Sequence, residues 1–393
     1  MGNKIKIAIV TRKMVMGGIE KSLITLITEL QKIDAEITLY LESTGGELFD
    51  EIPEGTNVVD IFENKCNSVD LIKKLCKRKK FGKAVYVVLT YIYNKLGLDP
   101  VQAWKYTCKY LDIQREEYDY VFSYGAPVAF SMVFADYNLK AAKKYTWIHN
   151  EIDNITLDAK KYSYLFKPFD KIVCVSKEAE RIFDTMLPEY AKHSMIFYNY
   201  LNREEILNRA KTPINCRYEG TKIVTIGRMC YEKGQDIIPE IARKLNEDGY
   251  IFKWYCIGDG ESLQSVKNKI EAFGLSEKII LLGNQNNPYP YLKAADIYCQ
   301  PSRSEGFGIT ISEAKIFDLP IVSTDSAGAS EQLTDRETGL IVKFDIDDIY
   351  HALKAILDDA DMAERFKINL KNDRKSCISK LAELIPVEQR EEE

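Results

Sequence analysis

The stretch Gln300-Pro-Ser-Arg-Ser-Glu-Gly-Phe-Gly-Ile-Thr-Ile-Ser-Glu313 follows an apolar run, residues 295–299, that is typical of a short buried strand. Pro301 and Gly306 break regular structure, and from about Gly308 the apolar residues take helical spacing. The sequence therefore predicts a strand, a glycine-containing loop and the start of a helix. Such a helix start is typical of an anion-binding site, because it presents unpaired N–H groups and the positive end of the helix dipole.

Two carboxylates frame this helix start. Glu305 lies in the loop, and Glu313 lies eight positions later, inside the predicted helix. At roughly 1.5 Å per helical residue, one acid stands at the helix start and the other about a turn inside. A ligand lying along the helix start could touch both.

Composition limits the classes of protein that fit. A chain of 393 residues favours two or three domains, and its net charge of −5 argues against a general nucleic-acid binder. Three histidines are too few to favour a multi-histidine metal site. Nine cysteines without a C-x-x-C pair indicate reduced thiols in a cytoplasmic protein. We also expect no signal peptide and no membrane span, since no apolar run reaches about 18 residues.

The N-terminal half predicts a doubly wound sheet. Residues 4–10 and 37–41 are typical of buried strands, and residues 19–30 between them have the apolar spacing of a helix. Ligands of such sheets bind at the carboxyl ends of the strands, where Gly17 and Gly18 fall. This glycine pair either lets the backbone approach a phosphate or sugar, or forms a plain tight turn.

A histidine ends another predicted strand of this half. Residues 144–149 are apolar and aromatic and end at His149. A histidine at the carboxyl end of a strand in a doubly wound sheet is well placed to meet a ligand. Considered alone, such a histidine is more often structural.

A second doubly wound domain follows a polar stretch. From residue 222 onward, strands are each followed by a glycine-bearing loop and a helix. The predicted fold class is α/β, with two doubly wound domains and a ligand cleft between them. The predicted boundaries are an N-terminal domain at 1–200, a linker at 201–220, a second domain at 221–360 and a C-terminal helical segment at 361–393.

Cations lie at the first strand end of this second domain. Arg228 is a bidentate phosphate donor and Lys233 a mobile point charge, so with the N–H groups near Gly306 they could hold a diphosphate without a metal. Glu313 could then accept from two ribose hydroxyls, and Glu305 from hydroxyls of a second sugar. The alternative is a solvated, salt-bridged surface, which is the usual state of an arginine considered alone.

Residues 73–93 differ from the rest of the N-terminal half. A cluster of lysines and one arginine, residues 73–83, precedes an apolar and aromatic run, residues 84–93. The run is too short to span a bilayer, but the pairing suits an interfacial element on anionic lipid. The alternative is a solvated helix followed by a core helix.

The motifs taken together resemble a known family. Its signatures match, in order, Gly227-Arg228, Lys233-Gly234, Gly258-Asp259-Gly260, Leu282-Gly283, Ala295-Asp296, Pro301-Ser302, Glu305-Gly306-Phe307-Gly308, Glu313-Ala314, Pro320-Ile321-Val322 and Gly339-Leu340-Ile341-Val342. The chain resembles the retaining family 4 (group 1) glycosyltransferases over nearly all of residues 4–345. Their architecture is GT-B, two Rossmann-like domains that face each other across a cleft. The resemblance implies that residues 1–200 bind the acceptor, that residues 221–360 bind the nucleotide-sugar and that the helical segment 361–393 returns to the N-terminal domain. Gly17-Gly18-Ile19-Glu20 also resembles the family's glycine loop.

The resemblance implies a role for each candidate residue. His149, Glu305, Arg228 and Lys233 would be catalytic, with His149 and Glu305 at the donor sugar. The implied donor site comprises Arg228 and Lys233 as a diphosphate clamp, Glu313 as the ribose ligand, Gly17 and Gly18 as the loop over the phosphates, and Gly306, Phe307 and Gly308 at the helix start. Two departures from the family are Phe317-Asp318-Leu319, where a small residue and glycine are usual, and a loose match around Gly328.

The implied activity is transfer of a sugar, with retention, from a nucleoside diphosphate-sugar to a hydroxyl of a glycan or lipid-linked acceptor. A UDP-sugar is the favoured donor, and neither a metal nor a cofactor is expected. The expected setting is bacterial capsule, exopolysaccharide or cell-wall glycan assembly, in the cytoplasm or on the inner face of the cell membrane. Two alternatives remain: a non-catalytic GT-B partner of another transferase, and a nucleotide-sugar 2-epimerase.

Overall fold

The computed structural model describes residues 4–62, 68–111, 116–125, 128–149, 158–214, 218–372 and 381–386. The chain forms two compact units, Met1–Phe197 and Tyr198–Ser379, and the described residues 381–386 cluster with the first unit. Each unit contains one parallel sheet.

The first unit contains a sheet of seven parallel strands in the order β3-β2-β1-β4-β5-β6-β7. Its elements are β1 (Ile5–Thr11), α1 (Gly18–Lys32), β2 (Ala35–Leu41), β3 (Asn57–Asp60), α2 (Ser68–Lys77), α3 (Phe81–Lys95), α4 (Pro100–Tyr110), β4 (Glu117–Ser123), α5 (Phe130–Tyr137), β5 (Lys140–Ile148), β6 (Lys171–Cys174), α6 (Lys177–Met186) and β7 (Ser194–Ile196). Short 3-10 turns lie at Phe49–Glu51, Ser163–Phe166 and Pro188–His193.

The second unit contains a sheet of six parallel strands in the order β10-β9-β8-β11-β12-β13. Its elements are α7 (Arg203–Arg209), β8 (Thr221–Ile226), α8 (Ile238–Glu247), β9 (Phe252–Ile257), α9 (Leu263–Ala272), β10 (Ile279–Leu281), α10 (Tyr289–Ala294), β11 (Ile297–Gln300), α11 (Ile309–Ile316), β12 (Ile321–Thr324), α12 (Ala327–Gln332), β13 (Leu340–Val342), α13 (Ile346–Asp358) and α14 (Ala360–Asn372). A last short helix, α15 (Leu381–Leu384), belongs to the first unit.

The apolar runs of the sequence form the central strands. Residues 7–10 of β1 are fully buried. In β9, Trp254 and Cys256 are fully buried, and Tyr255 between them is 7% exposed. Strands covered by helices on both faces carry such near-continuous apolar runs, since neither face meets water. The predicted fold class, α/β with two doubly wound sheets, is confirmed.

The strand order of each sheet fixes where a ligand can bind. The order reverses between β1 and β4 in the first unit, and between β8 and β11 in the second. Loops leaving two such strands in opposite directions open a crevice at their carboxyl ends. The loops after β8 and β11 carry Arg228, Lys233 and Glu305, and those after β1 and β5 carry Gly17 and His149.

The stretch predicted as a linker contains a packed helix. Within residues 201–220, α7 begins after Asn202, whose side chain accepts a hydrogen bond from the Glu205 N–H. Ile206 of this helix is buried in the same cluster as Tyr289 and Leu292. A polar-looking sequence therefore forms part of the second unit's core, because one apolar residue per turn suffices to anchor a short helix.

Candidate active site

An ion pair lies at the carboxyl ends of β8 and β11. Lys233 Nζ is 2.6 Å from Glu305 Oε2, and the two side chains are 23% and 11% exposed. The two residues are 72 positions apart in the sequence, and the loops after the two switch-point strands bring them together. A cation and a carboxylate are thus in contact, partly buried, in the loops next to the start of α11.

A glycine and an arginine hold these two loops together. Gly234 has a φ of +64°, and a Cβ there would lie 1.7 Å from the Pro301 carbonyl oxygen, so only glycine permits this approach. Arg303 donates two hydrogen bonds to Asp236, of 2.6 and 2.8 Å. The guanidinium of Arg303 also lies 4.1 Å from the centroid of the Tyr231 ring. These contacts fix the position of Lys233 relative to the Glu305 loop.

Glu305 accepts further hydrogen bonds from the end of β11. Gln300 Nε2 donates to Glu305 Oε2 at 3.1 Å, and Ser302 Oγ donates to the same oxygen at 3.4 Å. Gln300 itself is buried, bonded to the Tyr298 hydroxyl and, at 3.2 Å, to Thr310 of α11. The orientation of the Glu305 carboxylate is therefore set by a network that includes the first turn of α11.

The start of α11 is a helix terminus without a side-chain cap. Its cap residue, Gly308, has a φ of +77° and makes no side-chain hydrogen bond. The buried amide of Gln332 donates to the carbonyl oxygens of Phe307, Gly308 and Gly328. A Cβ on Gly328 would lie 2.3 Å from the Phe307 carbonyl oxygen, so α12 approaches the loop only because this residue is glycine. The backbone before α11 is thus held by hydrogen bonds to its carbonyl oxygens.

Glu313 lies one turn inside α11, as the sequence predicted, and is buried. Only 1% of Glu313 is exposed, and its Oε1 accepts a 3.1 Å hydrogen bond from the Tyr289 hydroxyl. Burial raises the pKa of Tyr289, so this hydroxyl remains protonated and able to donate. The Arg209 guanidinium lies 5.5 Å from the centroid of the Tyr289 ring. Glu313 is therefore held by α10 and, through Tyr289, by α7.

Arg228 is exposed immediately after β8. Its backbone is fixed by the neighbouring loop, because a Cβ on Gly258 would lie 2.0 Å from the Gly227 carbonyl oxygen. Met229, the next residue, donates its N–H to the Asp259 carbonyl at 2.9 Å. An exposed cationic side chain is thus carried on a fixed backbone.

Gly17 and Gly18 lie at the start of α1 in the first unit. Gly17 is the N-cap residue and Gly18 the first residue of the helix. The preceding loop is braced by the segment after β2: Met16 N–H donates to Glu47 Oε2 at 3.1 Å. A Cβ on Gly46, which has a φ of +106°, would lie 2.2 Å from the Met14 carbonyl oxygen. The glycine pair therefore belongs to an ordered helix start.

His149 follows β5 and is 5% exposed. Neither ring nitrogen has a hydrogen-bond partner among the residues that the structure describes. Burial lowers the pKa of His149 to about 3, so the ring is neutral at neutral pH. The Tyr124 ring packs edge-on at 4.5 Å between centroids, and its hydroxyl donates to Ser22 of α1 at 3.0 Å. Tyr124 therefore links His149 to the helix that begins at Gly18.

The predicted residues fall into two groups. Lys233, Glu305, Glu313 and the helix start at 306–308 come together in the second unit, while His149 and the glycine pair lie at the carboxyl edge of the first unit's sheet. Sequence reasoning missed Gln300, Ser302 and Tyr289, which hold the two carboxylates, and Gln332, which holds the backbone of the 307–308 loop. Gln300 carried a signal, since it is a polar residue ending an apolar strand. Tyr289 and Gln332 carried none, since their contacts are made only through the fold.

Three further observations concern the described residues only. They contain no group of three or more His, Cys, Asp or Glu side chains that could hold a metal ion. No helix among them is long and apolar enough to cross a bilayer. The six cysteines that fall within the described ranges are free thiols, and Cys66, Cys216 and Cys377 lie outside those ranges.

A family model matches the second unit. Residues 207–373 match the model described as glycosyl transferases group 1. The family resemblance is therefore confirmed at the level of the group 1 glycosyltransferases, over this segment. The matched segment contains every residue of the second unit to which the sequence assigned a role.

Curated relatives match over part of their length. The chain is 28% identical over 187 residues to the N-acetylgalactosamine-N,N'-diacetylbacillosaminyl-diphospho-undecaprenol 4-alpha-N-acetylgalactosaminyltransferase of Campylobacter jejuni, covering 47% of this chain and 50% of that protein. It is 32% identical over 141 residues to the lipopolysaccharide core biosynthesis mannosyltransferase LpsB of Rhizobium meliloti, covering 34% and 38%. The chain thus spans about half or less of the length of these relatives.

Solved structures match over nearly the whole chain. A glycosyltransferase from Rickettsia africae has a TM-score of 0.69 at 19% identity, covering 95% of this chain and 94% of that one. Anabaena HepE, solved in complex with UDP-glucose, has a TM-score of 0.68 at 15% identity, covering 95% of each chain. At these identities the likeness establishes the fold, which is that of the GT-B glycosyltransferases.

Proposed function

We propose that this protein is a retaining, metal-independent glycosyltransferase that moves a sugar from a nucleoside diphosphate-sugar to a hydroxyl of a glycan or lipid-linked acceptor. The observation that carries the proposal is the Lys233–Glu305 pair at the uncapped start of α11. It combines a cation, N–H donors and a carboxylate, which are the groups that a diphosphate and an attached sugar need.

The diphosphate is the leaving group, so the site must stabilise its growing negative charge. The bond between the anomeric carbon and the diphosphate oxygen breaks, and a bond from the acceptor oxygen to that carbon forms on the same face. The leaving diphosphate oxygen takes the acceptor proton. Arg228, Lys233 and the first-turn N–H groups of α11 supply preorganised positive charge where the negative charge develops, which lowers the barrier without a metal.

The remaining residues bind hydroxyl groups. Glu305, held by Gln300 and Ser302, accepts from hydroxyls of the donor sugar. Glu313 accepts from the ribose hydroxyls, which requires the ribose to reach a carboxylate that Tyr289 already contacts. His149 is the residue of the first unit that hydrogen bonds the donor sugar, as a neutral imidazole because its pKa is lowered to about 3.

Relatives support the substrate classes. Anabaena HepE was solved with UDP-glucose, which favours a UDP-sugar donor. The Campylobacter jejuni relative is named for a diphospho-undecaprenol acceptor and the Rhizobium meliloti relative for lipopolysaccharide core biosynthesis. These names favour a lipid-linked acceptor, in bacterial capsule, exopolysaccharide or cell-wall glycan assembly at the inner face of the cell membrane.

A nucleotide-binding screen tests the proposal. Thermal unfolding is followed with UDP, GDP, ADP, TDP and their sugar conjugates, with and without EDTA. A ligand at a hundred times its dissociation constant adds about 2.7 kcal/mol to the free energy of unfolding. We expect one nucleotide to stabilise the protein equally in EDTA, with the effect lost in Arg228→Ala and kept in Arg365→Ala, an exposed arginine on α14.

Two results would contradict the proposal. If EDTA removes the stabilisation, the diphosphate is bound through a metal, and the clamp described here is not sufficient. If no nucleotide stabilises the protein, the site does not bind the donor on its own, and a non-catalytic partner of another transferase becomes the better description.

A further inference from the structure

The outer face of α3 is an exposed apolar stripe. Phe81, Val85, Val88, Ile92 and the C-cap residue Leu96 recur at helical spacing, and each is exposed, Phe81 by 61% and Leu96 by 65%. Of the fifteen large hydrophobic residues exposed in the described parts of the chain, eight lie in residues 69–98. Such a concentration marks an interaction surface, because single exposed apolar residues are normally scattered.

The opposite face of α3 accounts for the fold of this region. Ala84 and Val87 are buried with Leu75 of α2 in a small cluster of their own. Lys83 Nζ donates to the carbonyl oxygens of Tyr110 and Leu111 at the end of α4, at 3.2 and 2.9 Å. The helix is therefore anchored through this opposite face, and no residue of the stripe belongs to that cluster.

Positive charge surrounds the stripe. Residues 71–98 contain eight lysines and arginines and no acidic residue, although the whole chain has a net charge of −5. Lys77, Arg78 and Lys79 are exposed in the turn that leads into α3. The first turn of α3 contains no acidic residue and its N-cap makes no side-chain hydrogen bond, so these cations oppose the helix dipole. An anion bound beside this turn would offset that cost.

We propose that α3 lies in the interface of an anionic lipid bilayer, with its stripe toward the acyl chains and the α2–α3 turn among the phosphate headgroups. An amphipathic helix with a cationic border binds such a surface through buried apolar area and electrostatic attraction together. A second copy of this chain fits poorly, because the same strongly positive surface would face itself across a twofold axis. The stripe belongs to the first unit and the Lys233–Glu305 pair to the second, so the two proposals are tested separately.

Vesicle flotation tests the surface. The full chain is mixed with vesicles of phosphatidylcholine alone or of phosphatidylcholine with phosphatidylglycerol. We expect it to float only with the anionic vesicles, and to be released at high salt, where surface charges are screened. Flotation with neutral vesicles to the same extent, or flotation insensitive to salt, would overturn the proposal.

Two variants with matched controls separate charge from apolar contact. Replacing Lys77, Arg78 and Lys79 together by Gln should weaken partitioning about a hundredfold, since each cation near the surface contributes about fivefold. The control replaces exposed lysines of the second unit by Gln, namely Lys211, Lys267 and Lys293. The stripe variant, Val85→Ser with Ile92→Ser, should lose at least about tenfold. Its control is Ile251→Ser with Ile368→Ser, exposed positions on the second unit.

Thermal unfolding without ligand serves as the check on folding. Every variant should keep the wild-type melting temperature, so that a loss of flotation reports the surface alone. Flotation that is unchanged in both α3 variants would overturn the proposal. So would sedimentation showing that the stripe variant converts a dimer to a monomer while flotation is unaffected, because the stripe would then bind a second copy.

Discussion

Replacing Glu305 by Gln should tighten nucleoside diphosphate binding while abolishing sugar transfer. Lys233 is paired with Glu305 at 2.6 Å, so an incoming diphosphate competes with a carboxylate for the same cation. The amide introduced by Glu305→Gln keeps the shape of the side chain and one acceptor oxygen, but it removes the competing charge and replaces the other acceptor oxygen by an NH2 donor. Transfer should fail because no carboxylate is left to accept from the donor sugar.

The magnitude follows from the burial of the pair. A hydrogen bond between charged groups contributes about 1.5–3 kcal/mol. Since Lys233 is 23% and Glu305 11% exposed, solvent screens part of this interaction, and we take about 1 kcal/mol as the gain. That corresponds to about fivefold tighter binding of the nucleoside diphosphate.

Calorimetric titration with the nucleotide found in the screen measures the effect. Glu337→Gln, an exposed acid of the same unit, is the matched control and should leave the dissociation constant unchanged. In a Lys233→Met background, Glu305→Gln should no longer tighten binding. The reasoning is refuted if Glu305→Gln binds no more tightly than wild type, or if it tightens binding equally without Lys233.

Three predictions concern stability. The pKa of His149 is lowered to about 3, so between about pH 6.5 and pH 3 this histidine takes up a proton only in the unfolded chain. The free energy of unfolding should therefore be about 2 kcal/mol lower at about pH 5 than at neutral pH, and urea unfolding of His149→Gln should lack this loss. Burial raises the pKa of Glu42 to about 7, with Arg12 opposing, so stability is lost as the pH rises from about 4.5 through about 7. Glu42→Gln should therefore gain up to about 3 kcal/mol above that range and nothing below it in the same assay. Asp318 has a φ of +55°, a conformation that glycine adopts without steric cost, so Asp318→Gly should raise the free energy of unfolding by about 0.5–1 kcal/mol. A lower free energy of unfolding in urea would contradict this prediction.

Much of the fold could be predicted because parallel strands buried on both faces leave apolar runs in the sequence. The stretch 300–313 forms the predicted strand, loop and helix, with Gly308 at the helix start. Glycines mark the places where backbones approach closely, as at Gly234 against Pro301. These signals are local, so a single sequence carries them.

The contacts that give the site its properties could not be predicted. Lys233 and Glu305 meet only because β8 and β11 are neighbours, and Glu313 meets Tyr289 only through the packing of α10 on the sheet. Likewise, the composition of residues 73–93 showed apolar residues, but only the packing of α3 shows which of them are exposed. These contacts join residues that are far apart in the chain, so no local sequence pattern records them.

The central claim, sugar transfer from a nucleoside diphosphate, is tested most directly by following the donor. The nucleotide sugar that stabilises the protein is incubated with it and with extracted bacterial lipids, and the products are identified by mass spectrometry. The account predicts released nucleoside diphosphate and a glycosylated lipid, both absent with Arg228→Ala. Recovery of a changed nucleotide sugar would instead indicate an epimerase, and recovery of the unchanged donor, although bound, a non-catalytic protein; either result would contradict the account.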